Sequence, residues 1–181
     1  MTLHFEKITE SDAEALADFL RSEIWPFHSG NDASKEELLQ RFEKGFYTGS
    51  GKESYWIKDA EYAIIGYLRL FDLGDKFSDE TPLFDIRILE NMRGKGVGRK
   101  AVRWLVRHIF RCYPNKNRIE AATRVDNIGM QKVLKKCGFV KEAHYRQAWP
   151  INKNERTDAV GYGILKSDWE TKTTTPIDWK K

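Results

Sequence analysis

The residues with the clearest chemistry are Arg93-Gly94-Lys95-Gly96-Val97-Gly98-Arg99-Lys100. Three alternating glycines let the backbone turn tightly and approach a ligand closely. A helix opening there adds unpaired N–H groups and the positive end of its dipole. Arg93, Lys95, Arg99 and Lys100 add positive charge. Together these describe an anion site, most naturally for a phosphate or pyrophosphate. The plainer reading is a glycine turn with solvated basic side chains, but a strand-to-helix junction favours the ligand. A Walker A loop is excluded, because no Lys here is followed by Ser or Thr. Gly96-x-Gly98-x-x-Ala101 fits the relaxed dinucleotide fingerprint. That reading is set aside: Asp126, the acid after the next strand, lies too far along, and the strands upstream suit antiparallel pairing.

Alternating helices and strands must position this loop. Ser11-x-x-Glu14 and Ser34-x-x-Glu37 read as capping boxes, opening helices over 11–22 and 34–44. Pro26 prevents the first from running on, and residues 23–30 form a loop rich in aromatic side chains. Gly49-Ser50-Gly51 is a turn. Strands are expected over 54–57 and 62–71, then over 82–89 after a loop at 72–81. The strongest helix covers 97–113. At the helical period Ala101, Val102, Leu105, Ile109 and Cys112 share one face, and Arg99, Lys100, Arg103, Arg107 and Arg111 the other. Trp104 and Phe110 break that pattern. A strand follows at 118–125, then a helix at 127–136 stopped by Gly138, then strands at 139–149 and 157–165. The order also admits a short first strand at 3–8. Strand–helix–strand over 83–125 implies a parallel pair with a right-handed crossover. The expected fold is α/β (α+β mixed), with a mostly antiparallel central sheet of about six to seven strands flanked by about four helices. Residues 1–170 are expected to form one domain, and 171–181 a polar, poorly ordered tail.

The segment from Ile88 to Gly98 resembles the acetyl-CoA signature of the GNAT superfamily of N-acetyltransferases. Arg93, Gly96 and Gly98 meet the core of that signature. Asp126-Asn127, followed by Cys137-Gly138-Phe139, resembles the superfamily's Asn…Gly-Phe segment. Thr157-Asp158, Tyr162 and Asp168-Trp169 resemble the C-terminal pattern of the branch of ribosomal-protein N-terminal (alanine/serine) acetylases. The likeness covers residues 3–170. It implies a GNAT-like sheet in which the strand before the loop splays from its neighbour, with the pantetheine arm of acetyl-CoA in the gap. Backbone at Ile88, Leu89 and Glu90 would pair with that arm as an added strand. N–H groups from Gly94 through Lys95, Gly96, Val97 and Gly98 to Arg99 would hold the pyrophosphate, with Arg93 at the entrance. Asn127 would bond the arm from the other side, cap its helix, or both.

The implied reaction is direct attack of an amine on the thioester carbonyl. The ammonium must lose a proton, the nucleophile must be held, and the oxyanion needs a donor, expected near Leu89. Asp85 is the favoured base; Asp85 and Arg87 share a face of their strand, and an ion pair there is the plainer reading. Glu120, His28 and His144 are further acid–base candidates, although a lone histidine is as a rule structural or solvated. Many relatives carry a tyrosine as acid seven residues after the Asn; Leu134 stands there, so no acid is assigned. The acceptor is expected between the first helix pair and the last hairpin. Glu23, Trp25, Phe27 and His28 would form one wall and Trp149 part of another, an acid among aromatics suiting a cation. An ordinary aromatic minicore explains the same residues. The alternative function is a non-catalytic acyl-CoA-binding or regulatory module on the same fold.

Composition narrows the class. The chain has 181 residues, a net charge of +4 and two cysteines, Cys112 and Cys137. No apolar run suits a transmembrane helix, no secretory block opens the chain, and two cysteines make no disulfide framework. A cytoplasmic enzyme is expected, with no metal, no nucleic acid and no membrane partner; its partner is the amine substrate, and a homodimer remains open.

Overall fold

The computed structural model describes residues 1–28, 31–74, 80–152 and 154–178. Within the expected loop at 72–81, residues 75–79 lie outside this set, as do 29–30 of the aromatic loop and the last three of the tail. The order is β1 (His4–Lys7), α1 (Ala13–Arg21), α2 (Lys35–Glu43), β2 (Glu53–Lys58), β3 (Ile64–Phe71), β4 (Leu83–Ile88), α3 (Val97–Cys112), β5 (Arg118–Arg124), α4 (Ile128–Lys136), β6 (Val140–Pro150), β7 (Arg156–Leu165) and α5 (Lys166–Thr171). Short 3-10 turns occupy Glu10–Asp12 and Glu90–Met92.

The strands form two antiparallel sheets, β1-β2-β3-β4 and β5-β7-β6. The expected parallel pair of β4 and β5 is therefore corrected: all the ladder of β4 is to β3, and all that of β5 is to β7. The two strands touch where Glu120 N–H donates to Pro82 O at 3.0 Å. Beyond that junction they form no ladder, and a gap opens between the sheets.

Period-two alternation gives the first sheet two different faces. Tyr55, Ile57, Leu68 and Leu70 pack with Val97, Ala101, Val102, Leu105 and Ile109 of α3. Trp56 and Tyr67 turn the other way, onto Leu16, Phe19, Leu20, Leu38 and Phe42 of α1 and α2. The register pairs Arg69 with Asp85 and Tyr67 with Arg87 on this second face. One face thus buries an oily core, and the other carries a polar row beneath the first two helices.

Of the two expected capping boxes, one forms and one is displaced. Ser34 and Glu37 do form the box that opens α2, at 3.2 and 2.9 Å. Ser11 and Glu14 do not: Thr9 and Asp12 take that place, with Thr9 N–H donating to Asp12 Oδ2 at 2.8 Å. On α3, Cys112 is exposed rather than in the core face. Phe110, on the supposed polar side, is buried against Trp169 of α5, a helix the pattern did not announce. Trp104 stacks between Phe5 and His108. The expected loose tail is tied back at Thr175, which donates to Asp168 through N–H and Oγ1.

Candidate functional site

The 25–28 turn carries the first site residue into place. Trp25 N–H donates to Asn31 Oδ1, Asn31 Nδ2 returns a bond to Trp25 O, and His28 N–H donates to Trp25 O, each at 3.0 Å. Arg124, at the end of β5, holds the outside of the turn: Nη1 donates to Pro26 O at 3.0 Å, and the guanidinium lies 5.4 Å from the Phe27 ring centre. This places His28 Nε2 2.9 Å from Asp85 Oδ1 on β4. Arg87 Nε approaches the other oxygen, Asp85 Oδ2, at 3.4 Å. The remaining ring nitrogen, His28 Nδ1, is buried and has no hydrogen-bond partner among the described residues.

These groups line a cavity of about 530 Å³ that runs from the β4–β5 gap to the space beneath α1 and α2. Its walls include Phe27, His28, Asp85, Arg87, Asn127 and Trp149 among the residues singled out from the sequence. Tyr47, Phe46, Arg41 and Arg69 also line it and were missed. Strand alternation could have found Arg69, since Tyr67-x-Arg69-x-Phe71 presents one face; nothing in the sequence registers α2 and its following turn against that strand.

Burial pushes the Asp85 carboxyl up, but the hydrogen bond from His28 and the charges of Arg87 and Arg69 outweigh it and hold its pKa at about 2. Glu53 behaves alike at the opposite face of the sheet: bonds from His108, Lys7 and Tyr55 overcome its desolvation and hold it at about 2. A carboxylate with a folded pKa below its unfolded value stabilises the fold above the unfolded value, and loses that contribution as pH falls through the folded one. Thermal stability is therefore expected to decline as pH drops from about 4.5 to about 2, with Asp85→Asn removing part of the decline. A melting temperature that is level across that window would contradict the two ion pairs.

The glycine loop follows β4. Leu89 N–H donates to Ile65 O at 3.1 Å, so Leu89 turns its backbone to β3. By alternation Ile86 and Ile88 turn theirs to the gap. Leu89 N–H is consequently not free to serve an oxyanion, and that expectation moves to Ile88. Glu90 N–H is also spent: it donates to both carboxylate oxygens of Glu23, at 2.9 and 3.0 Å. Arg93 joins them, with Nη2 on Glu23 at 3.0 Å and Nε on Ile88 O at 2.9 Å. Glu23 thus fastens the turn before the glycines and does not line the cavity. Trp25 is likewise corrected to a core residue, buried with Nε1–H on Leu20 O at 2.8 Å.

Gly94 and Gly96 have φ of +75° and +83°, where side chains are strained, and a Cβ added at either would meet nothing within 4 Å. Open space therefore lies over the loop. Gly98 is different: its added Cβ would touch Ile88 Cδ1 at 3.3 Å, so this glycine lets α3 pack closely beside β4. Val97 buries its side chain and offers only its backbone. Lys95 and Arg99 are exposed around the loop. The bond from Lys100 N–H to Gly96 O, at 3.1 Å, opens the ladder of α3, so the N–H groups just ahead belong to the unpaired set at any helix start. Across the gap, Asn127 caps α4 by accepting from Met130 N–H at 3.1 Å and donates to Thr123 Oγ1 at 3.0 Å.

Two candidate acid–base groups lie elsewhere. Glu120 accepts from Arg118, which also pairs with Glu142 on β6, and it does not line the cavity. His144 is exposed on β6 and sits 2.6 Å from Asp158 Oδ2. Leu134, in the place of the missing tyrosine, is fully buried in the core. The described helices include none long and apolar enough to cross a membrane.

Residues 2–140 match the family described as an acetyltransferase (GNAT) domain. No curated protein matches the chain by sequence. Among solved structures, a chimera built from the Vibrio cholerae spermidine N-acetyltransferase and hSSAT is similar at TM-score 0.82 and 22% identity, over 94% of this chain and 99% of that one. The Vibrio cholerae enzyme in complex with CoA and spermine gives 0.79 and 21%, over 93% and 98%. Its dodecameric form gives 0.76 and 21%, over 94% and 97%. At these identities the likeness is one of fold.

Proposed function

This chain belongs to the acetyltransferase (GNAT) family and is an acetyl-CoA-dependent acetyltransferase, and from that membership we propose that its cavity transfers acetyl to a primary amine by direct attack. The observation that carries the reading is that β4 leads from the Asp85–His28 pair, which lines the cavity, straight into the glycine turn and the N–H groups ahead of the α3 ladder. Acetyl-CoA lies with its pyrophosphate over Gly94–Arg99 and its arm along Ile86 and Ile88, whose backbone faces the gap by alternation, with Ile88 O already accepting from Arg93. The thioester then reaches the Asp85 end of the cavity.

Asp85 is too acidic to hold a proton from an ammonium by itself. Its geometry suits a positioning role instead: it orients the His28 ring through Nε2–H and stabilises the imidazolium that forms. His28 takes the amine proton at Nδ1, the ring nitrogen that Asp85 does not engage and that has no partner among the described residues. The Ile88 N–H faces the gap as an oxyanion donor. No side chain is assigned as acid, because a thiolate leaves readily and water can protonate it.

The solved neighbours named above are spermidine N-acetyltransferases or a chimera of one, which supports an amine acceptor as a class. A peptide N-terminus draws on Thr157-Asp158, Tyr162 and Asp168-Trp169 alone. Those residues have framework roles here: Tyr162 OH donates to Gln131 at 3.1 Å, Asp168 holds Thr175, and Trp169 covers Phe110. They give no reason to prefer a peptide.

The Glu23–Arg93 clamp acts on the cofactor through the shape of the loop. Glu23→Gln and Arg93→Ala are each expected to weaken acetyl-CoA binding by about 1–2 kcal/mol, with the double variant no worse than either alone. Calorimetry giving additive losses would mean that Arg93 contacts the cofactor independently. The function itself is tested by following thiol release from acetyl-CoA with and without amines. Amine-dependent release is expected; tight acetyl-CoA binding with no release over a broad amine panel would leave the non-catalytic module.

A further inference from the structure

The charge of the acceptor wall is the wrong sign for a polycation. Four arginines, Arg21, Arg41, Arg69 and Arg87, line the cavity, and Asp85 is its single carboxylate among the described residues. Asp85 is already spent on His28 and Arg87. Arg69 is the telling residue. Its guanidinium sits between two rings, 4.0 Å from the centre of Phe46 and 4.5 Å from that of Phe71. Stacking fixes the plane of the fork and leaves its edge donors available. The buried Nε has no hydrogen-bond partner among the described residues. A buried donor left unmet is costly unless a ligand meets it. Arg41 comes close on the same wall, where its charge acts on the Tyr47 hydroxyl.

Position separates this cluster from the cofactor's phosphates. Arg69 lies opposite Asp85 in the register, and the glycine loop begins beyond the other end of β4. Asp85 and Ile88 are three residues apart, roughly 10 Å along a strand. The arginine wall therefore faces the acceptor side of His28.

We propose that the acceptor is a small amine carrying its own anionic group, a carboxylate or a phosphate, which Arg69 and Arg41 grip while the amine points at His28 and the thioester. This rests on the acetyl-transfer reading. An arginine fork matches both anions in a two-point contact, and a cavity of about 530 Å³ has room for such a molecule beside the cofactor's reactive end. Spermidine, with positive charge along its length, meets the arginines instead of a carboxylate row.

The test is a comparison of kcat/KM at saturating acetyl-CoA. The panel holds ω-amino carboxylates, aminoalkyl phosphates, uncharged amines of equal length, and spermidine. At least a tenfold preference for an anionic amine over its uncharged counterpart is expected, with spermidine below both. The carboxylate and phosphate arms identify the anion. Arg69→Gln should bring the anionic-to-neutral ratio down toward one, mainly through KM. Should that variant fail to fold, Arg69→Lys keeps the charge but loses the fork and should lower the ratio less, while Arg41→Gln reads the same wall from α2. Preference for uncharged amines or spermidine would overturn the proposal and leave acetyl transfer standing. A ratio unmoved by both Arg69→Lys and Arg41→Gln would also overturn it. Absence of transfer to any amine, with acetyl-CoA bound, would overturn the transfer reading as well.

Discussion

Asp85→Asn is expected to lower kcat/KM for acetyl transfer by about 10²-fold or more at neutral pH, while acetyl-CoA affinity stays near wild type. The effect is large because Asp85 acts through His28. Asparagine can still touch the ring, but it no longer holds a charge against a forming imidazolium, and it can favour the wrong ring nitrogen. His28→Gln should cost about as much, and the double variant little more than either single one, since paired groups fail as a unit. The deficit should shrink as pH rises, because the amine then arrives without its proton. A residue that merely supported the fold would show another pattern: a lower melting temperature and an unchanged shape of the pH–rate profile. Near wild-type turnover by a folded Asp85→Asn enzyme would remove the pair from the mechanism. Glu120 and His144 would then be poor substitutes, because neither borders the cavity.

The second large effect belongs to the glycine loop. Gly96→Asp is expected to weaken acetyl-CoA binding by about 2 kcal/mol or more, roughly 30-fold, because a negative charge enters an anion site. The position is suited to the test. A side chain there meets nothing within 4 Å, so packing is left alone. The φ of +83° is strained for most residues, yet Asp and Asn tolerate that region better than others. Gly96→Asn is the matched control: it carries the same strain without the charge and should lose much less affinity. Equal losses for the two variants would mean that loop shape, and not phosphate charge, was being measured. Gly98→Asp is the poorer probe, since its side chain would press on Ile88 of β4 and report packing as well.

Much of the fold was readable because its signals are local. The glycine loop, the arginine stripe of α3, the Ser34 cap and the Asn127 cap each depend on residues a few positions apart. The splay of β4 from β5 was not readable from residue patterns. It depends on which strands find ladder partners, and strand–helix–strand order alone predicts a parallel pair. Only the family resemblance anticipated the gap. Phe110 misled the helical wheel because α5, six residues long, covers a side that periodicity assigns to solvent.

The site shows the same division. His28 and Asp85 were both named, Asp85 as the favoured base and His28 as an acceptor-wall residue and a further acid–base candidate, but not as a pair. Their 2.9 Å contact joins residues 57 positions apart, and no sequence spacing encodes it. Glu23 misled for a simple reason: an acid among aromatics suits a bound cation, and here the cation is the protein's own Arg93. Arg41 and Arg69 were overlooked because a single arginine on a strand or helix reads as surface. Their meaning emerges only when the cavity brings them together.

The most direct test of the account is a rapid-quench turnover of enzyme, acetyl-CoA and an amine that supports thiol release, with intact-mass analysis of protein and products. Direct attack predicts that CoA and acetylated amine appear together, in equal amounts, while the protein keeps its own mass at every time point. Accumulation of protein heavier by one acetyl group before any acetylated amine appears, and its decay when amine is added, would contradict it.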